Sequence, residues 1–395
     1  MIQYSFPDNW IRYDFTKVAL SLMSAKAAIL SLTNIPYQRS WTEQLQVVQL
    51  KREVAGTSRI EGADFTEKEL DAAMSESPEQ LFTRSQKQAA AAVRTYRWIA
   101  QLSSDRSIDS SLIREVHRMI ITGADDDHCP PGELRKHDVN VTFGMPAHRG
   151  AKGGTECESA FEELCRAVQE QFREHDPLIQ ALALHYHFAA MHPFLDGNGR
   201  TARALEALML QRVGLRDTLF IAMSNYYYEE KNNYLNTLAQ VRAADNDLTA
   251  FLIFGLNGIE VQCNRLFAEI RKNVAKALFR NVMFDLFNRL LTTRKRVIAE
   301  RQIELLKLLL SVDVLTLEEL EKRTAAIYKP LKNPYKALIR DINYLLHLRA
   351  IGYNKLPENR YELFARLEWP TEITETEFFE SVKEMPKAKT HGFLS

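Results

Sequence analysis

The residues His192-Pro-Phe-Leu-Asp-Gly-Asn-Gly-Arg-Thr-Ala-Arg203 bring a base, a hard oxygen ligand and a cluster of anion donors into one short stretch. Gly197-Asn198-Gly199 lets the backbone adopt positive φ and turn several N–H groups toward one point. The stretch lies between two expected helices, and the N-terminus of the second adds its dipole and free N–H groups, which favour phosphate. Arg200 and Arg203 sit three residues apart on that first turn, where forked donors from both can reach a polyphosphate, and Thr201 lies between them. Asp196 offers the oxygen that Mg²⁺ prefers when it bridges phosphates. His192, with its near-neutral pKa, suits removal of a proton from a hydroxyl. Nest, metal ligand and base together describe phosphate-transfer chemistry.

The pattern His-Pro-Phe-x-Asp-Gly-Asn-Gly-Arg-x-x-Arg over 192–203 resembles the active-site motif of Fic-domain proteins. Its nine specified positions match by chance on the order of once in 10¹² windows at ~5% usage each. Pro131-Gly-Glu-Leu-Arg135 and His185 are also similar to that family, and the likeness covers roughly residues 45 to 270. The resemblance implies a mostly helical fold that transfers AMP from ATP to a Ser, Thr or Tyr hydroxyl of a protein, itself included, with release of pyrophosphate. His192 would then be the base and Asp196 the Mg²⁺ ligand. Gly197, Asn198, Gly199, Arg200 and Thr201 would cradle the phosphates, and Arg203 would hold the γ-phosphate. Tyr234 lies where relatives place an aromatic near adenine, with Tyr226 to Tyr228 as rivals. Thr57-Ser-Arg-Ile-Glu61-Gly62 resembles the inhibitory motif found in some of these proteins, in which Glu61 would pair with Arg203 and leave ATP misaligned. His185 reads as a buried hydrogen-bonder. A two-residue step on a helix points His185 and His187 apart, which argues against a metal pair.

The elements that must hold these residues are mostly helices, with apolar residues recurring at three- and four-residue steps. Helices are expected at 17–32, 42–55, 85–102, 110–121, 156–174, 177–191, 200–212, 229–242 and 248–273, with Asp176 capping Pro177. Val139-Asn-Val-Thr-Phe143 alternates before a glycine-rich run, the pattern of a short hairpin with a mobile tip. Such a flap, carrying Val141, Thr142, Phe143 and Gly144, would register a target segment by strand addition. Beyond residue 297 the texture changes to helices at 302–311, 316–322 and 335–348, then strands at 351–355 and 360–364. That is the order of a winged helix-turn-helix. The domains therefore read as 1–105, a helical region with the inhibitory helix; 106–296, the catalytic core; 297–370, the winged-helix-like module; and 371–395, a tail. Lys329, Lys332, Lys336, Arg340, Arg349 and Lys355 give that module a basic surface suited to DNA, although Glu318, Glu319, Glu321 and Asp341 dilute it and such modules also dock proteins.

The chain has 395 residues, 46% hydrophobic and 26% charged, a globular composition. Its 51 basic and 51 acidic residues balance, which argues against a wholly nucleic-acid-binding or membrane-binding surface. Four scattered cysteines form no disulfide framework or zinc pair. The N-terminus lacks the apolar run of a signal peptide, and no stretch reaches 18 apolar residues. A cytoplasmic enzyme with ATP and a protein hydroxyl as substrates is the expectation, and the resemblance adds self-association as a homodimer. The alternatives are a DNA-binding regulator whose core senses nucleotide, and an enzyme that removes AMP or transfers another nucleotide.

Overall fold

Two helices packed against each other carry the motif between them, and both are buried almost all round. The structure is a computed structural model describing residues 2–35, 39–75, 81–136, 139–144, 146–215, 221–290, 293–383 and 393. The chain divides into two compact units, Met1–Ala268 and Glu269–Ser395.

The first unit holds strand β1 (Ile2–Gln3) and helices α1 (Phe15–Thr33), α2 (Arg39–Ile60), α3 (Glu67–Met74), α4 (Arg84–Gln101) and α5 (Ser110–Ile121). A hairpin of β2 (Thr142–Phe143) and β3 (His148–Arg149) follows, then α6 (Thr155–Gln169), α7 (Pro177–Met191), α8 (Asn198–Leu210), α9 (Met223–Glu229) and α10 (Lys231–Ala243). Helix α11 (Thr249–Asn288) contains the division between the units. It falls earlier than the boundary near residue 297, because the apolar periodicity behind the expected 248–273 helix continues without a break.

Helix α7 is almost wholly apolar, which is why burial on every side costs it little. Asp176 accepts from the Leu178 N–H at 3.0 Å and Pro177 opens the helix, as the sequence predicts. Helix α7 ends at His192, whose φ of 53° reverses the chain. Gly197, φ 75°, begins α8, and a Cβ there would lie 2.7 Å from Ile121 Cδ1. Helices α3 and α9 were not expected. Thr66 and Glu69 form a capping box at the start of α3, a Thr-x-x-Glu signal visible in the sequence.

Helix α2 crosses α9 so closely that a Cβ on Gly56 would strike the Ser224 backbone. Beside that contact the Glu53 carboxylate, buried, accepts from the Ser224 N–H at 2.8 Å and from the Tyr96 hydroxyl at 2.7 Å. The flap forms a small sheet in the order β1-β3-β2, with Phe143 opposite His148 in an antiparallel pair. The hairpin is shorter than 139–143 suggested.

Among the described residues, α1 is long and apolar enough to cross a membrane by length and composition. Its Val18, Leu22, Ala25, Ile29 and Leu32 are nonetheless buried in the structure, and its Lys26 pairs with Asp176 at 2.6 Å.

The second unit continues α11 and adds α12 (Thr293–Val312), β4 (Val314–Thr316), α13 (Leu317–Tyr328), α14 (Pro334–His347), β5 (Ile351–Lys355), β6 (Tyr361–Ala365), α15 (Trp369–Glu372) and α16 (Glu375–Lys383). Its sheet runs β4-β6-β5, antiparallel throughout, and β4 is the strand the sequence reading omitted. Leu306, Leu320, Ile342, Leu345, Leu363 and Trp369 are among its core. Arg301 donates to Asp341 at 2.9 Å inside this core, and so does the Tyr328 hydroxyl at 3.0 Å. Asp341, read as diluting a basic surface, is therefore buried in a polar network rather than exposed. The tail expected at 371–395 lies partly in α15 and α16, and its residues 384–392 and 394–395 lie outside the described residues.

Replacing Gly56 with alanine should wedge α2 off α9. We expect a loss of about 1–3 kcal/mol, the usual cost of overpacking, read as a lower urea midpoint.

Candidate active site

The turn from α7 to α8 is fixed by four side chains before any ligand is considered. The Asn198 side-chain oxygen accepts from the Phe194 N–H at 2.8 Å, and its amide donates to the Phe194 carbonyl at 2.9 Å. His117 stacks on Phe194 with centroids 3.6 Å apart and meets the Asp196 carbonyl through Nε2 at 3.0 Å. Arg135, buried, donates to the carbonyls of His192 at 2.8 Å, Val139 at 2.5 Å and Ala151 at 2.5 Å. Phe143 of the flap stacks on the His192 ring at 3.8 Å.

These contacts enclose a cleft of about 210 Å³ lined by Glu61, Phe143, Gly144, His192, Asp196, Gly197, Asn198, Gly199, Arg203 and Tyr234, among others. His192 Nδ1 lies 3.0 Å from the Ala189 carbonyl. A carbonyl can only accept, so Nδ1 carries the proton and Nε2 keeps its lone pair. Burial pushes the imidazole down to about 4, so it stays neutral at pH 7.

Arg203 is buried and makes three hydrogen bonds to Thr57 and Glu61. Its Nε donates to the Thr57 hydroxyl at 2.8 Å, and its Nη2 donates to the Thr57 carbonyl at 3.2 Å and to Glu61 Oε1 at 2.5 Å. Burial disfavours the charged form of Glu61, yet the Arg203 guanidinium outweighs it and holds the carboxyl below its usual range. Burial likewise opposes the Arg203 charge, and Glu61 more than offsets it, raising its pKa. The Glu61 carboxylate occupies the space where a Cβ on Gly199 would be. Gly62, φ 89°, terminates the helix just beyond Glu61.

Asp196 is about one-third exposed and faces the cleft. Burial raises its pKa, but His128 at 2.9 Å and Arg200 at 3.2 Å outweigh that and lower it. Arg200 is not among the residues that line the cleft. Its Nη1 donates to buried Asp125 at 2.6 Å and its Nη2 to Asp196 at 3.2 Å. Thr201 is also buried in the first turn of α8, away from the lining. Asp125 further accepts from Arg84 at 2.6 Å and from Gln88 at 3.0 Å. Ligand atoms of Asp125, His128 and Asp196 come within 4.8 Å of one another, but Arg84 and Arg200 already answer both carboxylates. The acidic run Asp125-Asp-Asp-His128, just before Pro130-Pro-Gly, was the signal available for this cluster.

Tyr234 does reach the cleft wall, and its hydroxyl lies 2.8 Å from His185 Nε2. His185 also bonds Glu206, so it is a buried hydrogen-bonder as expected, while His187 meets the Trp10 carbonyl at 2.5 Å on another side of the helix. Of the rival tyrosines, Tyr227 donates to Glu206 at 2.9 Å and stacks on Tyr234, and Tyr226 packs on Gly258. In the flap, the Val141 carbonyl accepts from the Gly150 N–H at 3.2 Å, Thr142 pairs with Arg149, and Gly144 turns the chain at φ 75°.

Residues 107–210 match the Fic/DOC family. That segment contains the whole 192–203 motif, Arg135 and the flap, whereas Glu61 and Tyr234 lie outside it. Over 112 residues the chain is 35% identical to the protein adenylyltransferase fic-1 of Caenorhabditis briggsae, covering 27% of this chain and 20% of that one. Over 118 residues it is 31% identical to the protein adenylyltransferase Fic of Drosophila mojavensis, covering 29% and 22%. The chain thus spans about a fifth of the length of these curated relatives. A crystal structure of a Fic family protein from Desulfovibrio desulfuricans G20 superposes with a TM-score of 0.57 at 16% identity, covering 90% of this chain and 98% of that one. Residues 134–508 of Fic-1 from Caenorhabditis elegans give 0.53 at 19% identity, covering 65% and 74%. The mostly helical architecture with small sheets is the fold of these Fic structures.

An unfolded histidine takes up its proton near ~6.5, whereas folded His192 does so only at about 4. Protonation therefore favours the unfolded chain, and the fold loses this increment of stability as pH falls from the first value to the second. NMR titration of the His192 ring should give a midpoint near 4, moving upward in Phe143→Ala as the stacked ring is removed. A wild-type midpoint at the ordinary imidazole value contradicts this geometry.

Proposed function

We propose that this protein transfers AMP from ATP to a Ser, Thr or Tyr hydroxyl of a protein, and that the Glu61–Arg203 contact holds the reaction off. The observation that carries the reading is His192 Nε2, left with a free lone pair, in the same cleft as the glycine-lined start of α8. The relatives named protein adenylyltransferase support the reaction class.

The acceptor hydroxyl gives its proton to His192 Nε2 as its oxygen attacks the α-phosphorus. The bond from that phosphorus to the bridging oxygen breaks, and pyrophosphate leaves. The unpaired N–H groups at the start of α8 take the phosphate oxygens. Donors fixed before reaction stabilise the developing charge without reorganising. Asp196, a part-exposed carboxylate at the rim of this nest, would hold Mg²⁺ in the single-carboxylate manner once the ion takes the place of its contacts with His128 and Arg200. When bound, the ion would neutralise charge on the α- and β-phosphates.

Arg203 would hold the γ-phosphate once Glu61 leaves it. While the carboxylate is present, its negative charge sits against Gly199 and the α8 N-terminus and repels phosphate there. ATP then binds out of line for attack. Helices α12–α14 and the sheet β4-β6-β5 follow the order of a winged helix, and we read this unit as a docking module for protein or DNA.

The test uses ATP labelled at the α-phosphate, with Mg²⁺ and a cell lysate. We expect Glu61→Gly to fix at least tenfold more label to protein than wild type, since alignment losses of this kind cost about 10²-fold. Adding His192→Ala should abolish it. No labelling by any variant, with ATP binding intact, defeats the transferase reading and favours a nucleotide sensor. Release of AMP from already modified protein would instead identify the reverse reaction.

A further inference from the structure

Three cations line the cleft, Arg203, Lys231 and Arg242. Arg203 meets Glu61. Lys231 donates to the Ile60 carbonyl at 2.8 Å. Arg242, in the last turn of α10, also lines the cleft, yet among the described residues no carboxylate lies at ion-pair distance from it. Its Nε is buried without a hydrogen-bond partner. Burial pulls its pKa down, and the groups that oppose this are Tyr186 and Tyr234, which are neutral hydroxyls. A part-buried guanidinium without a counter-charge is costly, and an incoming anion repays that cost.

Its position says which substrate would bring the anion. The guanidinium lies 5.9 Å from the centre of the Phe143 ring, and Nη2 would be 3.4 Å from a Cβ on Gly144. Phe143 in turn stacks on His192, the base. The positive groups acting on Glu61, at the phosphate nest, are Arg203, Arg200 and His192, whereas Arg242 acts on His148 of the flap strand. Arg242 thus stands beside the flap, where a peptide would add as a strand and present its hydroxyl to His192.

We propose that Arg242 binds a carboxylate of the acceptor protein next to the modified hydroxyl, so that acceptors are acidic segments. The proposal rests on the AMP-transfer reading and adds the class of its protein substrate. A charge-assisted, forked contact of this kind gives both affinity and register.

The experiment compares two synthetic peptides that differ in one respect, glutamate or glutamine on either side of a single threonine. Transfer of labelled AMP is measured with the full chain carrying Glu61→Gly, with and without Arg242→Gln or Arg242→Lys. Peptide binding is measured separately by fluorescence anisotropy without nucleotide. We expect the glutamate peptide to be favoured about tenfold in kcat/KM, the scale of one hydrogen bond to a charged group. Arg242→Gln should remove the preference while KM for ATP holds, and Arg242→Lys should restore part of it. The lysine variant also reports that the fold tolerates change at this position.

A preference that survives Arg242→Gln overturns the proposal, as does the absence of any preference in the parent. A rise in KM for ATP with the peptide preference intact also overturns it, and assigns Arg242 to the nucleotide. If no variant transfers AMP, the binding arm still decides. A glutamate preference lost in Arg242→Gln sustains the acidic-segment site while the transferase reading fails, and equal binding of both peptides defeats the site itself.

Discussion

Arg203 carries a positive charge into the packed interface between α8 and its neighbours, where only 2% of its surface meets solvent. A bare guanidinium there would be prohibitively costly, so the fold must bring it partners. Those partners come from the end of α2, far away in sequence, and their delivery fixes how α2 lies. Gly56 lets α2 approach Ser224 backbone to backbone, and Glu53 and Tyr96 bind the same crossing with hydrogen bonds. Thr57 then presents both its hydroxyl and its carbonyl to Arg203, and Glu61 adds the opposite charge. The two oxygens of Thr57 are buried contacts, whereas the Glu61 side chain remains 36% exposed at the cleft rim. The part of the arrangement that faces the cleft is therefore the more exposed one, and the buried part aims the arginine.

The loop itself depends on a different economy. Its polar backbone atoms are satisfied by Asn198, His117 and Arg135 rather than by secondary structure, as irregular buried backbone requires. With those bonds made internally, the free N–H groups at the start of α8 and the Nε2 of His192 are left for a ligand. The buried acids do parallel work. Asp125 ties Arg200 and Arg84 together, and Arg200 in turn meets Asp196.

Local pattern carried most of what the sequence made legible. The 192–203 motif, the capped start of α7, the flap hairpin and the run of helices all follow from short-range spacing and are present at those positions. Spacing could not show that Asp125 claims Arg200, because the partners lie 75 residues apart and either could as well have faced solvent. Thr201 sits inside the motif, and its burial depends on which face of α8 meets the core. The division between the units, inside α11, leaves no local mark for a related reason. Helix α11 keeps one periodic pattern through residue 288, and composition changes only after the helix has ended. Strand β4, three residues long, is defined by its pairing with β6 rather than by any run of its own.

The bonds of Arg135 have a mechanical consequence. One rigid, planar side chain ties the carbonyl of His192 to that of Val139, at the root of the flap, and to that of Ala151, just past its far strand. The flap and His192 are thus bolted to a common bracket. The base of the flap cannot shift without loading the His192 carbonyl, so a displacement at the hairpin is passed to the residue that carries the imidazole.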